Sequence, residues 1–403
     1  MPHRTRTEPS QLTIFHLVQP VEGGVARVVT DLVRAQVAEG LRAVVACPSG
    51  GELADRAAEA GARVHTWPAG RAPGPRLARE VLTASRLIRR CRPHLVHAHS
   101  AKAGLVARLA VRGRVPTVFQ PHAWSFDAVE GRAAGLALTW ERYGTRWSTR
   151  TLCVSETERR AGERAGIAAR WAVIRNGIDI GHFAPVCAPG SGPRTGPEHE
   201  RQRARDALPE LTDVPAGAPL VLCVGRLCRQ KGQDILLAAW PRVLADAPGA
   251  RLLLVGDGPD REQLTRLAPP GVLFAGAIPD IRPWLRAADL VVLPSRWEGM
   301  ALAPLEAMAC GRPVVVTDVS GARESLPPGH EHHSLVPPDD PDALAAALTA
   351  LLADAGLRAR LGREAQTHMR ATCDVRKTAA AVSGLYQDLL SSPPMTTRKR
   401  TKR

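Results

Sequence analysis

Apolar positions along this chain follow two alternating rhythms. Short unbroken runs such as LTIFHLVQ (12–19), LRAVVACP (41–48), HLVHAH (94–99) and PTVFQPH (116–122) read as strands buried on both faces. Between them the apolar residues recur at helical spacing. Val25, Val28, Val29, Leu32 and Val33 make one stripe of GGVARVVTDLVRAQVAEG (23–40). Helices are also predicted over about 52–60, across PRLAREVLTASRLIRRCRP, from about 102 to 111 and over 130–149. ARVHTWP, TLCVS and AVIRNGID supply further strands. Strands separated by helices of this length predict a parallel sheet covered on both faces.

The rhythm breaks over 184–217, where Pro, Gly and charge dominate without steady periodicity. It then restarts with PLVLCVGRL, ARLLLVGDGP, VLFAGAI, DLVVLPS and PVVVTDV, each run leading towards helical sequence. The fold class expected is α/β with two doubly wound Rossmann-like domains. Residues 10–183 form the first domain, 184–217 a linker and 218–375 the second domain. A last helix over 376–390 is expected to cross back to the first domain, and 391–403 to be a disordered basic tail. Ligands of such sheets sit outside the carboxyl ends of the strands.

Charge changes this picture little. The net charge of +15 invites a nucleic-acid reading, but the terminal RKRTKR alone carries five of those charges. Aromatic content of 4% leaves few platforms for stacking single strands, so an anionic membrane surface is the better basic-patch partner. The eight cysteines form no C-x-x-C pair, which argues against a zinc site or a disulfide framework and fits a reducing compartment. No run reaches the ~18 apolar residues of a membrane span. The expected location is cytoplasmic, with peripheral contact at the inner face of a membrane.

The candidate chemistry lies at strand ends. In RWEGMALAPLEAMACG (296–311), Glu298 and Glu306 stand after the strand DLVVLPS. Three readings are open: an acid/base pair, two acceptors on one hydroxylated ligand, or helix surface. Pro304 suits a first helical turn, which would put Glu306 in that turn and Glu298 in the preceding loop. Arg226 and Lys231 in VGRLCRQKGQD flank the entry to another helix, a setting that attracts anions; Gly225 lets backbone approach there. VGDGPDREQL, with Gly256, is a second Gly-rich turn. His97 and His99 alternate along one strand and share a face, a spacing that mimics a metal pair without an acidic partner. HEHH (330–333) reads as an exposed loop.

Taken in order, VGRL…KG, LVGDGP, FAGAIPD and Glu298-x7-Glu306 with EAMACGRPVV resemble glycosyltransferase family 4, retaining nucleotide-sugar enzymes of the GT-B fold. The resemblance spans roughly residues 12–390 and is densest over 220–325. It implies that Arg226 and Lys231 bind the donor diphosphate, Glu306 the ribose hydroxyls and Glu298 the donor sugar. Ala277 and Ile278 would meet the base through backbone. Gly225, Gly256 and the loop Met300, Ala301 and Leu302 would complete the donor site, with Met300-Ala301 standing where the family commonly has Phe-Gly. Gly23 and Gly24 resemble the loop beside the donor phosphate, and His122 the family's histidine near the sugar. His99 is assigned to the acceptor side and His97 to structure. NGID (176–179) matches an architectural turn at the domain junction.

The activity implied is retaining transfer of a hexosyl unit to an acceptor hydroxyl, in polysaccharide, glycolipid or glycoconjugate synthesis, with no metal or other cofactor. The acceptor is a glycan, a lipid-linked sugar or a small molecule, and residues 129–150 offer a membrane-lying segment. Rivals are an epimerase of the same architecture, a glycoside hydrolase with two carboxylates, and a non-catalytic basic binding protein. The hydrolase leaves the cationic pair unexplained, and the epimerase would isomerise its donor with no acceptor consumed.

Overall fold

The computed structural model describes residues 12–183, 197–212, 214–215 and 217–391. Residues 184–196 of the linker and 392–403 of the tail lie outside the described residues. The first sheet contains β1 (Thr13–Val18), β2 (Arg42–Cys47), β3 (Arg63–Thr66), β4 (Leu95–His99), β5 (Thr117–Gln120), β6 (Arg150–Cys153) and β7 (Trp171–Val173). The second contains β8 (Leu220–Val224), β9 (Arg251–Val255), β10 (Val272–Gly276), β11 (Leu290–Leu293), β12 (Val314–Thr317) and β13 (Leu335–Val336).

Spatial order is β3-β2-β1-β4-β5-β6-β7 in one sheet and β10-β9-β8-β11-β12-β13 in the other, with every pair parallel. Continuous apolar runs make such sheets because helices cover both faces; all six residues of β1 are buried. Each order reverses once, so connections leave in opposite directions from β1 and β4, and from β8 and β11. Those two reversals open crevices at the carboxyl ends of the strands.

The helix Val375–Ser391 does return to the first domain. Its Tyr386 is buried and bonds His97 across 2.6 Å. At the crossing, Ile178 donates its amide to Cys373 (2.8 Å) and Val375 donates to Ile178 (3.0 Å). A Cβ on Gly177 would lie 2.7 Å from Thr378 Oγ1 and from the Val375 nitrogen, so the approach needs a bare α-carbon.

Three expectations are corrected. The linker contains a helix, Pro197–Asp206, which the apolar rhythm could not reveal because PEHERQRARD has no apolar stripe. Polar bonds seat it instead: Arg205 reaches Asp289 (2.6 Å) and the carbonyls of Ala287 and Ala218. The helix expected over 130–149 ends at Gly144, followed by a 3-10 turn at Thr145–Trp147. HEHH is no exposed loop. Glu331–Ser334 form a short helix, and buried His330 bonds Glu364 at 2.9 Å. Among the described residues the seven cysteines are free, and no helix is long and apolar enough to cross a membrane.

Candidate active site

The second domain's crevice is built by interleaved glycine loops. Gly225 donates to Val255 at 2.9 Å, and a Cβ on Gly256 (φ 140°) would sit 2.1 Å from the Gly225 oxygen. Gly256 in turn donates to Gly276 at 2.7 Å, which sets Ala277 and Ile278 beside the same strand ends. A 3-10 turn, Arg229–Lys231, leads to left-handed Gly232 and the helix Gln233–Asp246. A Cβ on Gly232 would meet the Pro294 oxygen at 2.0 Å, so this helix start is held against the end of β11.

There Lys231 Nζ lies 2.5 Å from Glu298 Oε1, and Ser295 Oγ donates to the same oxygen at 2.8 Å. Arg226 is half-buried beside them; only its carbonyl is engaged, by Gln233, and no described residue bonds its guanidinium. One paired cation and one unpaired cation therefore flank a helix entry, a setting that favours an anion.

The loop after Glu298 is gripped by the first domain. Ser155 donates to the Gly299 carbonyl (3.1 Å) and Asn176 Nδ2 to the Met300 carbonyl (2.8 Å). A Cβ on Gly299 would lie 3.0 Å from the His122 carbonyl carbon, which puts His122 against the loop. Met300 is 5% exposed, so its side chain packs inward, while Ala301 is half-buried. Gly24 faces Leu302 across the junction, a Cβ there falling 3.7 Å from its side chain.

Glu306 departs from the sequence expectation. The helix begins at Leu302, so Pro304 is its third residue and Glu306 lies beyond the first turn. Favouring a helix N-terminus therefore does not explain it. The carboxylate is 2% exposed and pairs with Arg27, which projects from the first-domain helix Gly23–Ala38. Burial raises the Glu306 pKa, and Arg27 offsets this only in part. For Arg27, burial opposes the charge, yet Glu306 together with Glu52 and Asp31 outweighs it and its pKa rises.

His122 follows β5 with φ 56°, and Ala123 has φ 115°, both values that favour glycine. Behind it lies a file of imidazoles. His122 Nε2 is 3.2 Å from His99 Nδ1, His99 Nε2 is 3.1 Å from His16 Nδ1, and His16 Nε2 is 2.9 Å from Gln36 Oε1. His99 is fully buried, so the assignment to the acceptor side is corrected: it stands behind His122 and lines no open surface. His16, His97 and His99 have nitrogens close enough to hold one ion, but the nitrogens of His16 and His99 face one another and Gln36, and His97 Nδ1 faces Tyr386. Burial lowers all four pKa values, that of His16 to about 4 and that of His122 to about 3, so the file is neutral near pH 7.

Against known proteins, the family description "Glycosyltransferase Family 4" matches residues 22–182, and "Glycosyl transferases group 1" matches 218–354. The lipopolysaccharide core biosynthesis mannosyltransferase LpcC of Rhizobium leguminosarum bv. viciae is 31% identical over 61% of this chain and 67% of its own length.

The chain belongs to glycosyltransferase family 4.

A GDP-mannose-dependent monoacylated alpha-(1-6)-phosphatidylinositol monomannoside mannosyltransferase of Corynebacterium glutamicum is 32% identical, over 57% of this chain and 59% of that protein. The alignment thus spans less than two thirds of that relative. Anabaena HepE, solved with UDP and glucose, superposes with a TM-score of 0.75 at 24% identity, covering 94% of this chain and 100% of that one. That likeness establishes the GT-B fold.

Several residues that shape this glycosyltransferase's cleft escaped the sequence reading. Arg27 looks like ordinary helix surface until Glu306, far along the chain, is folded against it. Asn176, read as architectural, holds the sugar-loop carbonyl. Glu158 accepts from Ala123 and Val154 amides, both at 2.7 Å, and so braces the strained His122–Ala123 turn. Burial raises its pKa to about 7 against those bonds. Its signal was Ser155-x-x-Glu158, a capping-box pattern whose glutamate here reaches past the cap to β5's loop. Glu324 of the second domain accepts from the Glu156 and Thr157 amides at the start of a first-domain helix and from Arg175.

Proposed function

We propose that this glycosyltransferase moves a hexosyl unit from a nucleoside diphosphate sugar to an acceptor hydroxyl with retention at the anomeric carbon. The observation that carries the reading is the pairing of Lys231 with Glu298 beside an unengaged Arg226 at the β8/β11 crevice. Carboxylates that only accept hydrogen bonds suit hydroxyls: Glu298 those of the sugar, Glu306 those of the ribose. Ala277 and Ile278 would meet the base. The bond from the anomeric carbon to the diphosphate oxygen breaks as the bond to the acceptor oxygen forms on the same face. The acceptor proton passes to the departing phosphate. Arg226, Lys231 and the amides entering Gln233–Asp246 stabilise the charge that grows on the diphosphate. These cations do the work that a divalent metal does elsewhere, so turnover without added metal is part of the proposal.

Relatives named for lipopolysaccharide core and phosphatidylinositol mannoside synthesis support an envelope glycan or glycolipid as product. The helix Gly131–Gly144 leaves Leu136 73% exposed, with Tyr143 and Val129 also outside, amid Arg132, Arg142 and Arg146. That surface suits the inner face of an anionic membrane carrying a lipid-linked acceptor.

A panel of UDP-, GDP- and ADP-sugars, read by thermal shift and by NMR of the product anomer, tests the assignment. Retained configuration with donor and acceptor consumed together supports it. Isomerised donor with no acceptor consumed would instead indicate an epimerase, and release of sugar from a glycan without nucleotide a hydrolase.

A further inference from the structure

The imidazole file between β1 and β4 has a direction, and the direction follows from hydrogen-bond capacity. A neutral imidazole has one N–H and one lone pair. Gln36 presents its carbonyl oxygen to His16 Nε2, and an oxygen only accepts, so the His16 proton sits on Nε2. His16 Nδ1 is then a lone pair, and His99 Nε2, 3.1 Å away, must donate to it. His99 Nδ1 is left as an acceptor, and His122 Nε2, at 3.2 Å, must donate in its turn.

The oxygen is the Gln36 side-chain atom that meets the file: it lies 2.9 Å from His16 Nε2, whereas Gln36 Nε2 is buried with no hydrogen-bond partner among the described residues.

We propose that Gln36, acting through His16 and His99, fixes His122 as its Nε2–H tautomer and so leaves its Nδ1 unprotonated, an acceptor for a ligand hydroxyl. Gln36, His16 and His99 are positioning residues in this scheme; only His122 touches ligand. The identity of that hydroxyl, a sugar's, rests on the glycosyl-transfer reading, whereas the tautomer does not. A histidine with its proton on Nδ1 would present a donor instead, and the hydroxyl would then have to accept rather than donate.

The test is 15N NMR of the full-length protein labelled at histidine, without substrate. His16, His99 and His122 are each expected to show protonated Nε2 and unprotonated Nδ1. Gln36→Met, close to isosteric but without the carbonyl, should leave His122 a mixture of tautomers although it touches neither that ring nor the cleft. In transfer assays the same variant should lose about tenfold in kcat, the scale of one hydrogen bond, with a smaller change in donor KM. A wild-type spectrum with the proton on His122 Nδ1 overturns the proposal. So does a folded Gln36→Met with an unchanged His122 tautomer. The wild-type spectrum decides even if the variant fails to fold. Absence of sugar transfer from every donor would sink the functional reading while leaving the tautomer assignment standing.

Discussion

The two crevices of this glycosyltransferase share one topology and differ in chemistry. At β8/β11 the strand ends carry the formal charges Arg226, Lys231 and Glu298, with Lys231 paired to Glu298 beside the glycine turn at Gly225. At β1/β4 they carry His16, His97 and His99, all buried and neutral, with His122 in front. On the function proposed above, the same reversal in strand order would serve an ionic ligand on one side and an uncharged, hydroxylated one on the other. Arg27, reaching over to Glu306, breaks the division.

The largest effect should come from removing charge at the second crevice. Arg226→Ala is expected to lower kcat about 100- to 1000-fold with little change in Tm, since its guanidinium stabilises no described contact. Near-normal turnover by the folded variant would end the diphosphate assignment. Lys231→Ala should be as damaging, and should also leave Glu298 buried with only Ser295 as partner.

Next comes the residue pair that crosses the division. With Glu306→Gln the ribose acceptor is weakened, so donor KM should rise about tenfold with a smaller loss in kcat. A change confined to kcat would argue that Glu306 serves the reacting centre.

A pH effect sharpens the first-domain side. Burial raises the Glu158 carboxyl from 4.5 to about 7. The folded state therefore holds a proton that the unfolded chain releases nearer 4.5. The stabilisation is fully present below about 4.5 and is lost as pH rises to about 7, a difference of order 3 kcal/mol. The Tm of the wild type relative to Glu158→Gln should fall across that window; a flat difference would show Glu158 ionised throughout. Smallest of all, EDTA should leave turnover unchanged, and a metal requirement would refute the role given to the two cations.

Much of this was legible in order and spacing. Buried strand runs announced both sheets, and the motif positions at the ends of β8 and β11 were visible because each lies within a few residues of its strand. Helix Pro197–Asp206 was not legible, since polar anchors rather than an apolar stripe hold it. The imidazole file needs a register: His16 pairs with His97 only once β1 is laid beside β4. Arg27 and Glu306 are similarly silent until the domains face each other. Glu306 itself was seen but misplaced by a turn, because Pro304 does not mark where its helix starts.

One consequence of the crossing at Gly177 concerns how this molecule can bend. The chain passes the boundary twice, at Ile178 and at Asp374, and the two passes lie side by side as a short parallel bridge. A single strap would swivel freely; two joined straps behave as a door hinge, free to swing about one axis and stiff to twisting. Asn176 sits at the edge of that hinge with its amide on the Met300 carbonyl. Any swing about that axis would carry the Met300 loop along one path past the first domain, so the joint itself constrains how the two half-sites align.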